Sequence, residues 1–205
     1  MKVHKILDAV FSTRSNIAVL RVISKVNIGL SGREIAKQAG MSAPSSLEAL
    51  TAMENLNLVK RERGGRDHFF YLNREHYIVE KIISPILNVE RKYPDQIYSD
   101  IKKGLGRYAS SLILFGSTAR EEEEIESDLD ICVVFKDAIS KRKLEKIISD
   151  LRIELFKKYG VSFAPYYISE KDFEKRARLK KSPVDDIIKE GKLISGKSIR
   201  DIING

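Results

Sequence analysis

LILFGSTAREEEEIESDLDICVVF, residues 112–135, decides the fold of the carboxy-terminal part of this chain. Leu112, Ile113, Leu114 and Phe115 form a short apolar run of the kind that makes a buried strand. Gly116-Ser117 breaks it, Thr118-Ala119-Arg120 follows, and an acidic connector leads to a second apolar strand, Asp128 to Phe135. Gly116 lets a phosphate come close to the backbone. A helix opened by the following turn would aim free N–H groups at that anion. Asp128 and Asp130 are two apart on a strand, so their carboxylates leave the same face. Two hard oxygen donors side by side suit Mg²⁺ or Mn²⁺, with water and phosphate completing the shell. Two acids at the mouth of an apolar strand also repel each other unless a cation sits there.

The rest of the composition sets wider bounds. With 205 residues the chain can hold one large or two small domains. No apolar run is long enough to span a bilayer and Met1-Lys2-Val3-His4 opens no signal peptide, so no membrane association is expected. The single cysteine, Cys132, excludes an intrachain disulfide and fits a cytoplasmic location. A formal charge of +8 is compatible with an anionic partner, nucleic acid or nucleotide, and equally with a Lys-rich solvated surface.

Towards the amino terminus, Ile17, Leu20 and Ile23 give helical spacing over Ser15 to Val26. Ser31 with Glu34 forms a capping-box pattern, and the helix it opens stops at Gly40. A third helix starts near Ser42, tolerates Pro44 in its first turn and turns Leu47, Leu50, Met53 and Leu56 inward. Two short strands around Gly64-Gly65-Arg66-Asp67 read as a hairpin. This order resembles a winged helix-turn-helix domain. The resemblance implies DNA contact through Ser42, Ser45 and Ser46 at the start of the third helix, and through Arg61, Arg63 and Arg66 in the wing. The helix offers no Arg or Lys there, so phosphate contact should outweigh base readout. By analogy with such regulators, a homodimer is also expected.

Residues 1–83 are therefore read as the winged helix, 84–109 as a helical connector broken by Pro85 and Pro94, and 110–205 as the second domain. In that domain Leu144, Ile148, Leu151 and Leu155 trace an amphipathic helix ended by Gly160. Val161 to Ile168 is a third strand, with Pro165 marking an edge. Basic and short helices follow over Ser169 to Lys181 and Pro183 to Gly191. The expected class is α/β (α+β) with two domains, the second built on a mixed sheet.

Phe115-Gly116-Ser117 followed by Asp128-Leu129-Asp130-Ile131 resembles the signature of polymerase-beta-type nucleotidyltransferases. Gly116-Ser117-Thr118-Ala119-Arg120 with Ser127-Asp128-Leu129-Asp130 is most similar to their minimal prokaryotic branch. The resemblance runs from about Ser110 to Ile168. It implies transfer of NMP from an NTP to an acceptor hydroxyl, with Asp128 and Asp130 as catalytic metal ligands. Gly116 and Ser117 would hold the triphosphate and Arg120 would neutralise its charge. Catalytically complete members carry a third carboxylate on the strand that here is Val161 to Ile168. Ser162 or Ala164 stands there instead. Two functions therefore remain open: an enzyme, or a DNA-binding regulator whose second domain binds nucleotide with little turnover. A small helical toxin partner, known for the minimal branch, ranks below both.

Overall fold

Thr13 starts the first long helix by accepting the Asn16 N–H at 3.1 Å, and the turns behind it bury Val19, Leu20, Val22 and Ile23. The computed structural model describes residues 3–65, 67–135 and 141–204, and the chain divides into two units, Met1–Lys92 and Tyr93–Gly205.

The first unit holds α1 (Ile6–Val10), α2 (Arg14–Ser24), β1 (Leu30–Ser31), α3 (Gly32–Gln38), α4 (Ala43–Asn55), β2 (Val59–Gly64) and β3 (Asp67–Leu72). Ser31 and Glu34 form the full capping box on α3, and Ser42 caps α4 by accepting the Ser45 N–H. β2 and β3 make an antiparallel hairpin, with β1 on the other side of β3. Phe70 and Leu72 of β3 close a core made by α2, α3 and α4. Three helices and a hairpin in this order form a winged helix-turn-helix arrangement.

Leu47 departs from expectation, being 50% exposed. The inward stripe of α4 is Ser46, Ala49, Leu50 and Met53. Leu47 follows Ser46 by one residue, so it projects about 100° away around the helix.

α5 (Ser84–Leu105) also differs, because neither Pro85 nor Pro94 breaks it. A π-helical turn, Val79–Ile83, runs directly into α5. The wider turn leaves room for Pro85, which lacks an N–H and whose ring would crowd the carbonyl four residues back. Pro94 lies inside the helix on an exposed position. Its lost hydrogen bond is outweighed by anchoring on either side: Leu87 joins the first core, and Ile97, Ile101 and Leu105 join a second.

The second unit continues with β4 (Ala109–Leu114), α6 (Gly116–Arg120), β5 (Leu129–Phe135), α7 (Lys141–Tyr159), β6 (Phe163–Ser169), α8 (Glu170–Arg178), α9 (Val184–Glu190), β7 (Lys192–Gly196) and α10 (Ile199–Asn204). The sheet order is β6-β5-β4-β7, with β5 and β6 parallel across the α7 crossover and the other pairs antiparallel. β6 is an edge strand, as Pro165 suggested. One face of the sheet packs Leu112, Leu114, Ile131 and Val133 with α5 and α7 side chains. The other packs Ile113, Cys132 and Val134 against Phe173, Val184, Ile187 and Ile202. Burial among these side chains pushes the Cys132 thiol up to about 12, so it is inert packing. Among the described residues, no helix is long and apolar enough to cross a membrane.

Candidate functional site

β4 delivers Phe115 in an extended conformation, and its N–H donates to the Asp130 carbonyl at 3.1 Å, tying the turn to β5. Gly116 then adopts φ +74°, where a side chain is strained. A Cβ on Gly116 would lie 2.4 Å from Asp130 Oδ2. The Asp130 carboxylate therefore rests directly on the Gly116 backbone. Glycine is required both by the dihedral angle and by the close approach.

Asp130 is half-buried on β5, and Asp128 is exposed just ahead of the strand. Burial first, and the charge of Asp128 second, raise the Asp130 carboxyl above the usual carboxylate range. Among the described residues neither carboxylate accepts a hydrogen bond or pairs with a cation. Two unneutralised acids two residues apart, close enough for the charge of one to raise the pKa of the other, are a donor set that fits Mg²⁺ or Mn²⁺.

The strand register sets which residue of β6 lies beside Asp130. Ala164 of β6 lies opposite Asp130, while the Ser162 carbonyl accepts the Leu129 N–H at 2.7 Å. Ala164, and no carboxylate, is therefore the β6 residue beside Asp130. Among the described residues no three His, Cys, Asp or Glu side chains gather to hold a metal.

Glu190, at the end of α9, went unnoticed in the sequence. Its Oε1 accepts the Gly116 N–H at 3.3 Å, and its two oxygens accept from Arg120 Nη1 at 2.9 and 2.8 Å. Arg120 Nε donates to Glu122 at 2.8 Å. These two carboxylates hold the guanidinium charged, and they position it beside the turn. The Gly116 N–H already takes an anionic acceptor, which is the chemistry expected of a phosphate-binding turn. α6 has five residues, so this capacity lies in the turn itself and owes little to a helix dipole. Ser117 is half-buried in the same turn, its carbonyl accepting the Glu122 N–H at 3.0 Å.

Arg152 of α7 was also missed. Its Nε donates to the Phe163 carbonyl at 3.0 Å, and it lines a hollow of about 300 Å³ with Asp128, Ser162 and Ala164. It lay on an amphipathic helix with no motif around it.

The expected DNA-contacting residues are divided. Ser46 is fully buried on the core side of α4, so it cannot reach a groove; this corrects the sequence reading. Ser42 is exposed, but its hydroxyl is used in capping Ser45. Ser45 is half-buried. Arg61 pairs with Glu54 at 3.1 Å, whereas Arg63 is exposed on β2. Arg66 lies outside the described residues.

Residues 96–191 match the family model of a nucleotidyltransferase domain. The chain is 30% identical over 95 residues to the "Putative protein adenylyltransferase" of Methanocaldococcus jannaschii, the match covering 45% of this chain and 59% of that protein. It is thus similar to less than two thirds of that relative's length. Among solved structures it is similar to a toxin–antitoxin with AMP-PNP, at 18% identity and TM-score 0.36, covering 52% of this chain and 80% of the other. It is also similar to a homodimeric winged helix-turn-helix DNA-binding domain from Mycobacterium bovis, at 15% identity and TM-score 0.34, covering 45% and 90%. Neither structural likeness is close enough to carry a functional inference.

Proposed function

We propose that this chain, which carries a nucleotidyltransferase domain over residues 96–191 after a winged helix-turn-helix fold, moves an NMP group from an NTP to an acceptor hydroxyl. The carrying observation is the unneutralised Asp130 carboxylate lying against the strained Gly116 turn, with Asp128 two residues before it and close enough to raise its pKa. Asp128 and Asp130 would hold Mg²⁺, or Mn²⁺, which when bound neutralises phosphate charge during phosphoryl transfer. Gly116 and Ser117 receive the triphosphate, and Arg120, steadied by Glu190, adds positive charge beside it. The acceptor oxygen attacks the α-phosphorus, the bond to the β-phosphate oxygen breaks, pyrophosphate leaves, and the hydroxyl proton passes to solvent water. The relative's name favours ATP as donor and a protein side chain as acceptor.

Ala164 opposite Asp130 offers no base for that proton, so the reaction runs without help worth about 10²–10⁴ in rate. With ATP labelled at the α-phosphate and Mg²⁺, label should pass to acceptor with pyrophosphate release, and Asp130→Asn should abolish it. Undiminished transfer by Asp130→Asn would sink the assignment.

The same Ala164 supports a second reading, a DNA-binding regulator whose second unit binds NTP with little turnover. Binding to DNA would then rest on wing phosphate contacts, above all through Arg63. Arg63→Ala should weaken binding to duplex DNA and lower its salt dependence by about one ion; unchanged binding would count against this reading.

A further inference from the structure

Resting on the transfer reaction proposed above, we infer that the acceptor oxygen enters from the β6 side of the Asp128–Asp130 pair. There the Arg152 guanidinium takes up the negative charge that gathers on it. In-line displacement sets the direction, because the attacking oxygen and the departing one lie on opposite sides of the α-phosphorus. The sheet order is β6-β5-β4, so Asp130 on β5 stands between the Gly116 turn, which follows β4, and Ala164 of β6. Residues paired across neighbouring strands share a face, so Ala164 lies on the face of Asp130. With pyrophosphate leaving over the Gly116 turn, the side open to the attacking oxygen is that of β6.

The hollow of about 300 Å³ that holds Asp128, Ser162 and Ala164 lies on that side, and Arg152 and Phe156 of α7 also line it. All of these residues belong to the Tyr93–Gly205 unit. β6 is an edge strand, and an edge leaves backbone groups unpaired. Arg152 uses one of them: its Nε donates to the Phe163 carbonyl at 3.0 Å, which brings the guanidinium from α7 to the strand edge and fixes its plane. The two terminal nitrogens are left over. Among the described residues they donate to no acceptor, and Arg152 pairs with no carboxylate although Asp128 lines the same hollow. A fixed cation and a proposed metal ligand therefore border one small space without neutralising each other. That space is at the small end of ligand pockets, enough for the reacting end of an acceptor.

Phe156, 67% exposed, gives the hollow an apolar wall, and charge contacts strengthen where water is thinned. As the acceptor oxygen bonds to the α-phosphorus, the bond to the β-phosphate oxygen breaks and the hydroxyl proton passes to solvent water. Ala164 offers no base to take it, so negative charge gathers on the acceptor oxygen. A guanidinium stabilises that charge by donating hydrogen bonds, without exchanging a proton of its own. A purely structural Arg152, tying α7 to the edge of β6, would need its Nε bond alone.

The test uses the full chain and the acceptor present in every assay, water. Labelled AMP formed from ATP labelled at the α-phosphate, with Mg²⁺, is followed in single turnover, and ATP affinity is measured by calorimetry. Wild type should form AMP. Arg152→Ala should slow this about 10²-fold or more while ATP affinity stays within about threefold, because the donor is held at the Gly116 turn. Guanidinium chloride far below denaturing concentration should restore Arg152→Ala about tenfold, and sodium chloride at the same concentration should not. Arg152→Lys keeps the charge without the fork and should fall between the two. Lys157→Ala removes the same charge from an exposed position of α7 outside the hollow and should leave the rate within about twofold. AMP formation unchanged in Arg152→Ala, a loss that guanidinium does not restore, or a loss matched by an equal loss of ATP affinity would each overturn the role of Arg152. So would a wild type that binds ATP and forms no AMP, since no attacking oxygen is then activated. Wild type that binds no ATP at all would reject the transfer reaction itself.

Discussion

Gly116→Ala is the substitution that examines the site most sharply. At φ +74° an alanine is strained by about 1–2 kcal/mol, and its reduced unfolded-state freedom returns less than that. Its methyl would also come 2.4 Å from Asp130 Oδ2 and 3.2 Å from Cγ, so the carboxylate has to turn away. Gly160 provides the internal control. It sits at φ +68° after α7, where an added Cβ meets nothing within 4 Å. Both alanine variants should lose about 1–2 kcal/mol, or about 2–8 °C in thermal midpoint. Only Gly116→Ala should also lose Mg²⁺-dependent ATP binding, by about tenfold or more, because only there is a proposed metal ligand displaced. Calorimetric titration and thermal unfolding of the two variants side by side make the measurement. If Gly116→Ala binds ATP as wild type does, or Gly160→Ala loses binding equally, the contact with Asp130 is not what holds the nucleotide.

Other outcomes follow from single contacts. Ala164→Asp places a carboxylate opposite Asp130 and should raise pyrophosphate release about tenfold or more; no gain would mean that the third acid is not the missing element. Glu190→Gln keeps an acceptor for the Gly116 N–H but removes the charge that holds Arg120 beside the turn, and should weaken ATP binding measurably; unchanged affinity would make Glu190 a surface ion-pair partner only. Asp100, buried on α5, accepts from Lys158 at 2.5 Å, Tyr159 at 2.7 Å and Lys103 at 3.0 Å, and these partners hold its carboxyl far below the usual range. Its stabilisation is complete above the unfolded carboxylate range near 4 and fades as pH falls through its own depressed range. Asp100→Asn should therefore unfold about 2–4 °C lower at pH 7, with the gap to wild type closing only below about pH 4; a gap already gone at pH 5 would refute that origin.

What the sequence revealed was local. The Gly116 turn is set by dihedral preference and the face of Asp130 by strand alternation, so both could be read directly, whereas Asp128 stands just ahead of β5. The Ser31–Glu34 box is three residues long and needed no tertiary information. Glu190 approaches Gly116 from 74 residues away, and no spacing rule reaches that far. The choice between Ser162 and Ala164 needed the β5–β6 register, because a shift of one residue exchanges the faces. Ser46 was misread because the inward stripe of α4 includes a small polar residue that hydrophobicity does not mark. β7 escaped because its five residues are mostly exposed and it pairs along an edge with a register shift. Pro94 misled for another reason: anchoring on both sides of a helix can outweigh one missing hydrogen bond.

The central claim, that Asp128, Asp130 and the Gly116 turn form one nucleotide and metal site, is tested most directly by titration calorimetry. ATP, GTP, CTP and UTP are titrated with and without Mg²⁺ into wild type and into Asp128→Asn/Asp130→Asn. The account predicts binding of at least one nucleotide that requires Mg²⁺ and disappears in the double variant while the fold persists. Nucleotide binding that survives the double substitution, or that ignores Mg²⁺, would contradict it.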